Sequence, residues 1–300
     1  MLTHAYAHLK TDIRLHYVTE GEGPLMLFLH GNPAFWYAWK RQLPFFSSRY
    51  QVVAPDLPGY NLSSKPEPVE RYQMSMLADD IRALVEVLGH KTFVFVGHDF
   101  GGGVGWAYAA KYPDTLEQLV VISAWHPDQF RRARRKYPEL RKDRDYIQML
   151  KQPDYVERLS ANNYAHLVAS ELGEYQHLKP GTFTEEDKQT YIASWSQPDM
   201  LECMVKYYLA HQLERDLADQ QDPDKDMLPP IHVSTLYIYG EKDVFTVYAE
   251  HPEREEEARA WLRELVPNVT IRPIPDGSHV MIYDHADEVN ALIQKFLDDK

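Results

Sequence analysis

The stretch that most constrains the fold of this chain is VFVGHDFGGGVGW, residues 94–106. Its apolar run lacks the alternation of a strand with one wet face, so it reads as a strand covered on both sides. Gly97, Asp99 and Gly101 then have the G-x-[nucleophile]-x-G spacing of a sharp strand-to-helix turn that presents one side chain above the sheet. That side chain is Asp99 where most such turns carry Ser. A Ser attacking a saturated carbon would form an ether, which water does not readily cleave. An Asp forms an ester, whose carbonyl water can attack. The chemistry implied is substitution at an electrophilic sp³ carbon.

The same non-alternating runs recur at Leu25–Leu29, Leu119–Ile122 and Leu236–Tyr239. Helical patterns separate them. Leu77, Ile81, Leu84 and Leu88 share one face of a segment with Ser75 at its start and Gly89 at its end, and Val289, Leu292, Ile293, Phe296 and Leu297 repeat the spacing after Asp287. Strands alternating with helices predict an α/β fold with a mostly parallel central sheet flanked by helices. The alternation breaks between about His126 and Pro230, where no strand-like run occurs. This predicts a helical cap at 126–229, leaving through the turn-rich stretch Asp222–Pro230 and inserted into a core domain of 1–125 and 230–300. Within it, RRARRK at 131–136 reads as a solvated helix face.

At 300 residues the chain can bury a large core without metals or disulfides, and no cofactor is implied. A formal net charge of −13 argues against nucleic acid or an anionic membrane as partner, because both would repel it. Cys203 is the only cysteine, which rules out an intrachain disulfide, and the opening MLTHAYAHLKTDIR has no apolar signal-peptide core. A cytoplasmic enzyme, monomeric or homodimeric, is the expectation.

An aspartyl ester needs a water-activating partner. Asp243 follows the apolar run LYIYG in GEKD, and His279 lies in DGSHV after VTIRPIP. Both sit where loops leave the carboxyl ends of strands, where open α/β sheets bind ligands. Fourteen histidines make no single one diagnostic, but the order nucleophile, acid, histidine selects Asp99, Asp243 and His279 as the catalytic set. His279, oriented by Asp243, would take a proton from the water that attacks the ester. The oxyanion formed then needs donors, each worth about 3 kcal/mol. The backbone N–H groups of Phe100 and of Asn32 in HGNP, ahead of a Trp36–Phe46 helix, are the candidates.

These residues resemble the α/β-hydrolase superfamily and, within it, the Asp-nucleophile branch of epoxide hydrolases, haloalkane dehalogenases and haloacetate dehalogenases. The likeness extends to DLPGYNLSSKP at 56–66, YPDTLEQLVVISA at 112–124, GEKD and the terminal helix. Soluble epoxide hydrolases use two cap tyrosines to protonate the departing oxygen, and the resemblance puts these at Tyr146 and, in MVKYYLA, at Tyr208, with Tyr207 as its neighbour. Asn32 is similar instead to haloalkane dehalogenases, but those carry a Trp directly after the nucleophile, and Phe100 has no N–H to offer a halide. Haloacetate dehalogenases usually clamp their substrate with arginines where this chain has Phe100 and Gly103. His30, Trp36, Trp125, Trp195 and Tyr207, with Phe100, would line a pocket for a small apolar epoxide. The expectation is an epoxide hydrolase forming vicinal diols. A haloalkane dehalogenase is the alternative, and a catalytically silent binding protein of the same fold is a third reading, against which the intact set Asp99, Asp243 and His279 argues.

Overall fold

In the computed structural model, residues 1–141, 145–150, 152–173, 178–179, 181–219, 227–243, 245 and 251–299 are described. Among them, β1 (Thr3–His8), β2 (Arg14–Glu20), β3 (Leu25–Leu29), β4 (Gln51–Pro55), β5 (Phe93–His98), β6 (Leu116–Ile122), β7 (Thr235–Gly240) and β8 (Val269–Ile274) form one sheet in the order β1-β2-β4-β3-β5-β6-β7-β8. From β4 to β8 all neighbours are parallel. Only the β1–β2 and β2–β4 pairings are antiparallel. Every residue of β3, β5 and β7 is buried, which is why their sequences show no polar alternation.

The helices α1 (Leu43–Phe46), α2 (Met74–Val87) and α3 (Phe100–Lys111) precede β6, and α9 (Glu255–Leu265), α10 (Met281–Asp284) and α11 (Ala286–Asp298) follow β7. The four-residue turn Trp36–Trp39 and α1 replace the single Trp36–Phe46 helix expected from sequence. Pro44 in the first turn of α1 has no N–H, so it starts a new helical piece rather than continuing the old one. Ser75 does not cap α2. The helix begins at Met74, whose N–H is satisfied by the Glu214 carboxylate at 3.0 Å, a partner supplied from 140 residues away.

Between β6 and β7 lie α4 (Pro127–Lys136), α5 (Asp145–Leu150), α6 (Tyr155–Leu172), α7 (Glu185–Trp195) and α8 (Met200–Asp219), with no strand among the described residues. Left-handed backbone at Asn162, Asn163 and Tyr164 breaks α6 into two pieces. Much of the expected exit stretch Asp222–Pro230 lies outside the described residues. The RRARRK segment is a helix face engaged with acids: Arg132 reaches Glu264 at 2.7 Å, and Lys136 pairs with Glu257.

Few but specific bonds dock these helices on the loops after β3 and β4. Trp195 donates its indole N–H to the Pro33 carbonyl at 2.8 Å, and Tyr207 donates to the Pro58 carbonyl at 2.7 Å. Asp187 closes a capping box with Thr184 and also accepts from the Tyr37 hydroxyl at 2.7 Å and from Lys40. None of the described helices is long and apolar enough to cross a membrane.

Candidate active site

Asp99 stands where β5 becomes α3, with φ 52° and ψ −122°. That left-handed backbone is costly for a residue with a Cβ, and the surroundings over-determine it: the Asp99 N–H donates to the Ile122 carbonyl at 3.1 Å and its carbonyl accepts from Gly103 at 3.0 Å. Gly101 is required by close approach, since a Cβ there would lie 2.2 Å from the Leu29 carbonyl oxygen. Gly31 is required by the carboxylate itself, because a Cβ would come within 2.3 Å of Asp99 Oδ1. The loop after β3 therefore closes directly on the side chain that the turn presents.

The two oxygens of Asp99 have different company. Oδ1 accepts from the Asn32 backbone N–H at 2.8 Å, and Oδ2 faces His279 Nε2 at 3.5 Å. The Phe100 N–H also bonds the carboxylate. Burial alone would push this carboxyl up, but the His279 ring, His98 and the Phe100 N–H outweigh it and hold the group below its ordinary range. A carboxylate that accepts from two backbone N–H groups stays ionised.

Behind His279, its Nδ1 bonds Asp243 Oδ2 at 3.0 Å, while Asp243 Oδ1 accepts from the Phe245 N–H at 2.8 Å. Burial works to lower the imidazole, but the charges of Asp243 and Asp99 and their hydrogen bonds overcome it and raise it to about 10. With Asp99 ionised, His279 holds its proton at neutral pH. Losing the Asp99 charge would remove two of the effects that hold it.

Sequence reasoning passes over His98, the neighbour of Asp99 in the motif itself. Burial lowers it to about 4, and its Nε2 bonds the His279 carbonyl oxygen at 2.8 Å. As a neutral ring donating from Nε2, it pins the backbone of the histidine that faces Asp99. Glu171 on α6 is missed as well. Burial raises its carboxyl to about 7, and both His279 and Asp99 act on it electrostatically. No periodic signal in α6 marks it.

Of the two adjacent tyrosines on α8, only Tyr208 turns toward the Asn32 loop. Its hydroxyl accepts from Asn32 Nδ2 at 2.8 Å, whereas Tyr207 is fully buried and spends its hydroxyl on Pro58. Phe100 packs edge-on against both rings, at 5.3 Å from Tyr208 and 5.4 Å from Tyr207. Tyr146 belongs to α5, but its side chain lies outside the described residues.

The expected pocket residues separate. His30 is fully buried behind the loop, with Nδ1 on the Gly31 carbonyl at 2.8 Å and Nε2 accepting from Leu57 at 2.9 Å, so it braces the loop rather than lining a pocket. Trp36 points to the sheet edge, where its ring meets His4 at 5.4 Å, while its backbone N–H donates to Asp56. Trp195 is buried against Pro33 and Tyr191. Trp125 stands half-buried beyond β6, 6.5 Å from Phe130. No group of three metal-ligating side chains occurs among the described residues.

Residues 24–286 match the alpha/beta hydrolase fold family. The chain is 33% identical over 302 aligned positions to epoxide hydrolase 4 of Mus musculus, covering 98% of this chain and 79% of that protein. It is equally identical to epoxide hydrolase 3 of Xenopus tropicalis, over 98% of this chain and 77% of the other. Among solved structures, an epoxide hydrolase of Bacillus megaterium in complex with an inhibitor superposes with a TM-score of 0.85 at 30% identity, covering 98% of this chain and all of that one. Sequence and fold agree, and the chain belongs to the epoxide hydrolases of the α/β-hydrolase fold.

Proposed function

We propose that this protein opens small apolar epoxides to vicinal diols, with Asp99 as nucleophile, His279 and Asp243 as the water-activating pair and Tyr208 as proton donor, joined by Tyr146 as the family resemblance implies. The observation that carries the reading is the split environment of the Asp99 carboxylate, with one oxygen on a backbone N–H and the other facing a carboxylate-backed histidine.

In the first step Asp99 Oδ2 attacks an epoxide carbon. The C–O bond breaks as Tyr208 gives its proton to the departing oxygen, and an alkyl ester forms on Asp99. Esterification removes the Asp99 charge, so the raised affinity of His279 for its proton falls; that proton leaves through solvent and restores the Tyr208 phenol, and the ring becomes a base only when the ester is ready. His279 then takes a proton from the water that attacks the Asp99 carbonyl. The resulting oxyanion lies on the N–H groups of Asn32 and Phe100; its collapse expels the alkoxide, which takes the proton left on the new carboxyl group, releasing the diol and restoring the carboxylate. Residues 126–229 act in this reading as a cap over the core of 1–125 and 230–300, since they bring Tyr208 to the nucleophile. The cytoplasm is the proposed compartment and a monomer or homodimer the proposed state, on the acidic composition and single cysteine.

A halide would need the Asn32 amide turned into the site, but that amide is engaged by Tyr208 and Tyr60. Purified protein incubated separately with styrene oxide and with a bromoalkane tests the assignment, with diol measured by chromatography and halide by titration. Diol from the first and no halide from the second is expected. Halide without diol would sink it.

A further inference from the structure

Asn32 performs two jobs with two different atoms. Its backbone N–H donates to Asp99 Oδ1 at 2.8 Å. Its side-chain Nδ2 donates to the Tyr208 hydroxyl at 2.8 Å, and its Oδ1 accepts from the Tyr60 hydroxyl at 2.7 Å. One residue therefore touches both the carboxylate at the β5–α3 turn and the phenol on α8.

The orientation of the amide follows from its partners. Tyr60 is fully buried, edge-on to His30 at 4.9 Å and tilted against Tyr207 at 5.0 Å, and burial pushes its phenol well above the ordinary value. The Tyr60 hydroxyl donates to the amide oxygen, and the amide nitrogen donates to Tyr208. The amide nitrogen is thereby fixed on the Tyr208 side. Since Tyr208 accepts that N–H on its oxygen, its own hydrogen is directed away from Asn32.

We infer that the Asn32 side chain is a positioning residue for ring opening: with Tyr60 behind it, it turns the Tyr208 hydroxyl hydrogen from the loop toward the space over Asp99. The inference rests on the reading of Tyr208 as proton donor. It also assigns a use to an Asn whose sequence context pointed to halide. Tyr208 arrives on an inserted helix and Asp99 on a strand end, so their register would otherwise depend on how the helices dock. A bridge through Asn32 ties it to the same loop that holds the carboxylate.

Single-turnover kinetics with styrene oxide separate formation of the Asp99 ester from its hydrolysis, reading the ester by quench and peptide mass. Asn32→Ala keeps the backbone N–H and removes the amide. It should slow ester formation by about 10-fold or more, the scale of one orienting hydrogen bond, and leave hydrolysis within about 2-fold. A residue that merely supported the loop would slow both steps. Asn32→Ala combined with Tyr208→Phe should be no slower than Tyr208→Phe alone, because the amide acts only through that hydroxyl. Tyr60→Phe frees the amide to rotate without touching the loop backbone, and should slow ester formation several-fold with hydrolysis unchanged.

Wild-type ester formation in both Asn32→Ala and Tyr60→Phe would overturn the inference, as would multiplicative losses in the double variant. If Tyr208→Phe itself forms ester at the wild-type rate, the proton-donor reading fails and this inference falls with it. If the Tyr208 variant is slow and Asn32→Ala is not, only the positioning role is lost.

Discussion

The loops leaving β3, β5, β7 and β8 and the helices α6 to α8 meet around Asp99, and they hold their side chains in different ways. On the sheet side the holding is done by backbone. Asp99 is fixed through Ile122 and Gly103, the Asp243 N–H bonds the Gly240 carbonyl at 3.1 Å, and His98 clamps the carbonyl of His279 at 2.8 Å. On the helix side, single side chains cross the gap between layers: Trp195 to Pro33, Tyr207 to Pro58, Tyr208 to Asn32, and Asp187 to Tyr37 and Lys40. Backbone bonds survive substitution, whereas each bridge depends on one residue. Changes on the sheet side should therefore decide whether the chemistry completes, and changes on the helix side how fast it runs and in what pH range.

The largest effect should come from His279→Gln. Removing the base leaves Asp99 able to attack, so styrene oxide should alkylate one Asp per chain while steady-state diol formation falls by about 10⁴-fold or more. Intact mass followed by peptide mapping reads the adduct on the Asp99 peptide. An adduct on any other residue would break the sheet-side assignment.

Next in size are the neighbours on α8. Tyr208→Phe should slow ester formation by about 10²-fold and leave ester hydrolysis unchanged. Tyr207→Phe should leave both steps near wild type and cost about 1 kcal/mol of stability through its lost bond to Pro58. Reversed results for the two would show that α8 presents a different face to the site. Rapid-quench kinetics with denaturant melts separate these cases.

The same contrast governs which features are legible in the amino-acid sequence. Strand runs such as Leu25–Leu29 and Phe93–Val96 stand out because both faces are buried, and the sheet-side residues because each follows such a run. The edge strand β1 and its neighbour β2, antiparallel and partly exposed, carry no such run. Helix-side residues are not legible by pattern. Tyr208 can be named only by resemblance, and nothing in α8 says which adjacent tyrosine faces Asn32. Glu214 capping α2, Glu171 near His279 and Tyr60 behind Asn32 are all decided by contacts distant in sequence. Trp36 and His30 show the converse case. Both lie close to Asn32 in sequence, yet the Trp36 ring meets His4 and the His30 ring bonds the loop backbone.

A smaller effect is expected at the Asp187 bridge, where stability rather than rate is the readout. Burial works to raise this carboxyl, but the bonds from Lys40, Thr184 and Tyr37 lower it from 3.8 to about 2. Because the folded value lies below the unfolded one, its contribution is complete above about pH 4 and disappears as pH falls through about 2. The gap corresponds to about 2 kcal/mol, reduced toward 1 by screening at the partly exposed Lys40. Asp187→Asn should therefore be less stable than wild type at pH 7, and the difference should close near pH 2. A constant difference across that range would mean that Asp187 holds α7 by shape rather than by charge.

The smallest effect should be the most specific to the helix side. Glu171 changes charge near pH 7, whereas the sheet-side carboxylate at Asp99 is ionised throughout the neutral range. Below pH 7 the neutral Glu171 carboxyl resembles a glutamine electrostatically. Above it, a carboxylate joins Asp243 beside His279, strengthens the hold of the ring on its proton and so reduces the fraction available as base. Ester hydrolysis in Glu171→Gln should match wild type at pH 6 and exceed it by about 2- to 5-fold at pH 8, a range set by screened Coulomb interaction between partly buried groups. A ratio that stays flat between pH 6 and pH 8 would separate Glu171 from the His279 charge system. A ratio that opens above pH 7 would mean that the inserted helices set the pH range of a base carried entirely by the sheet.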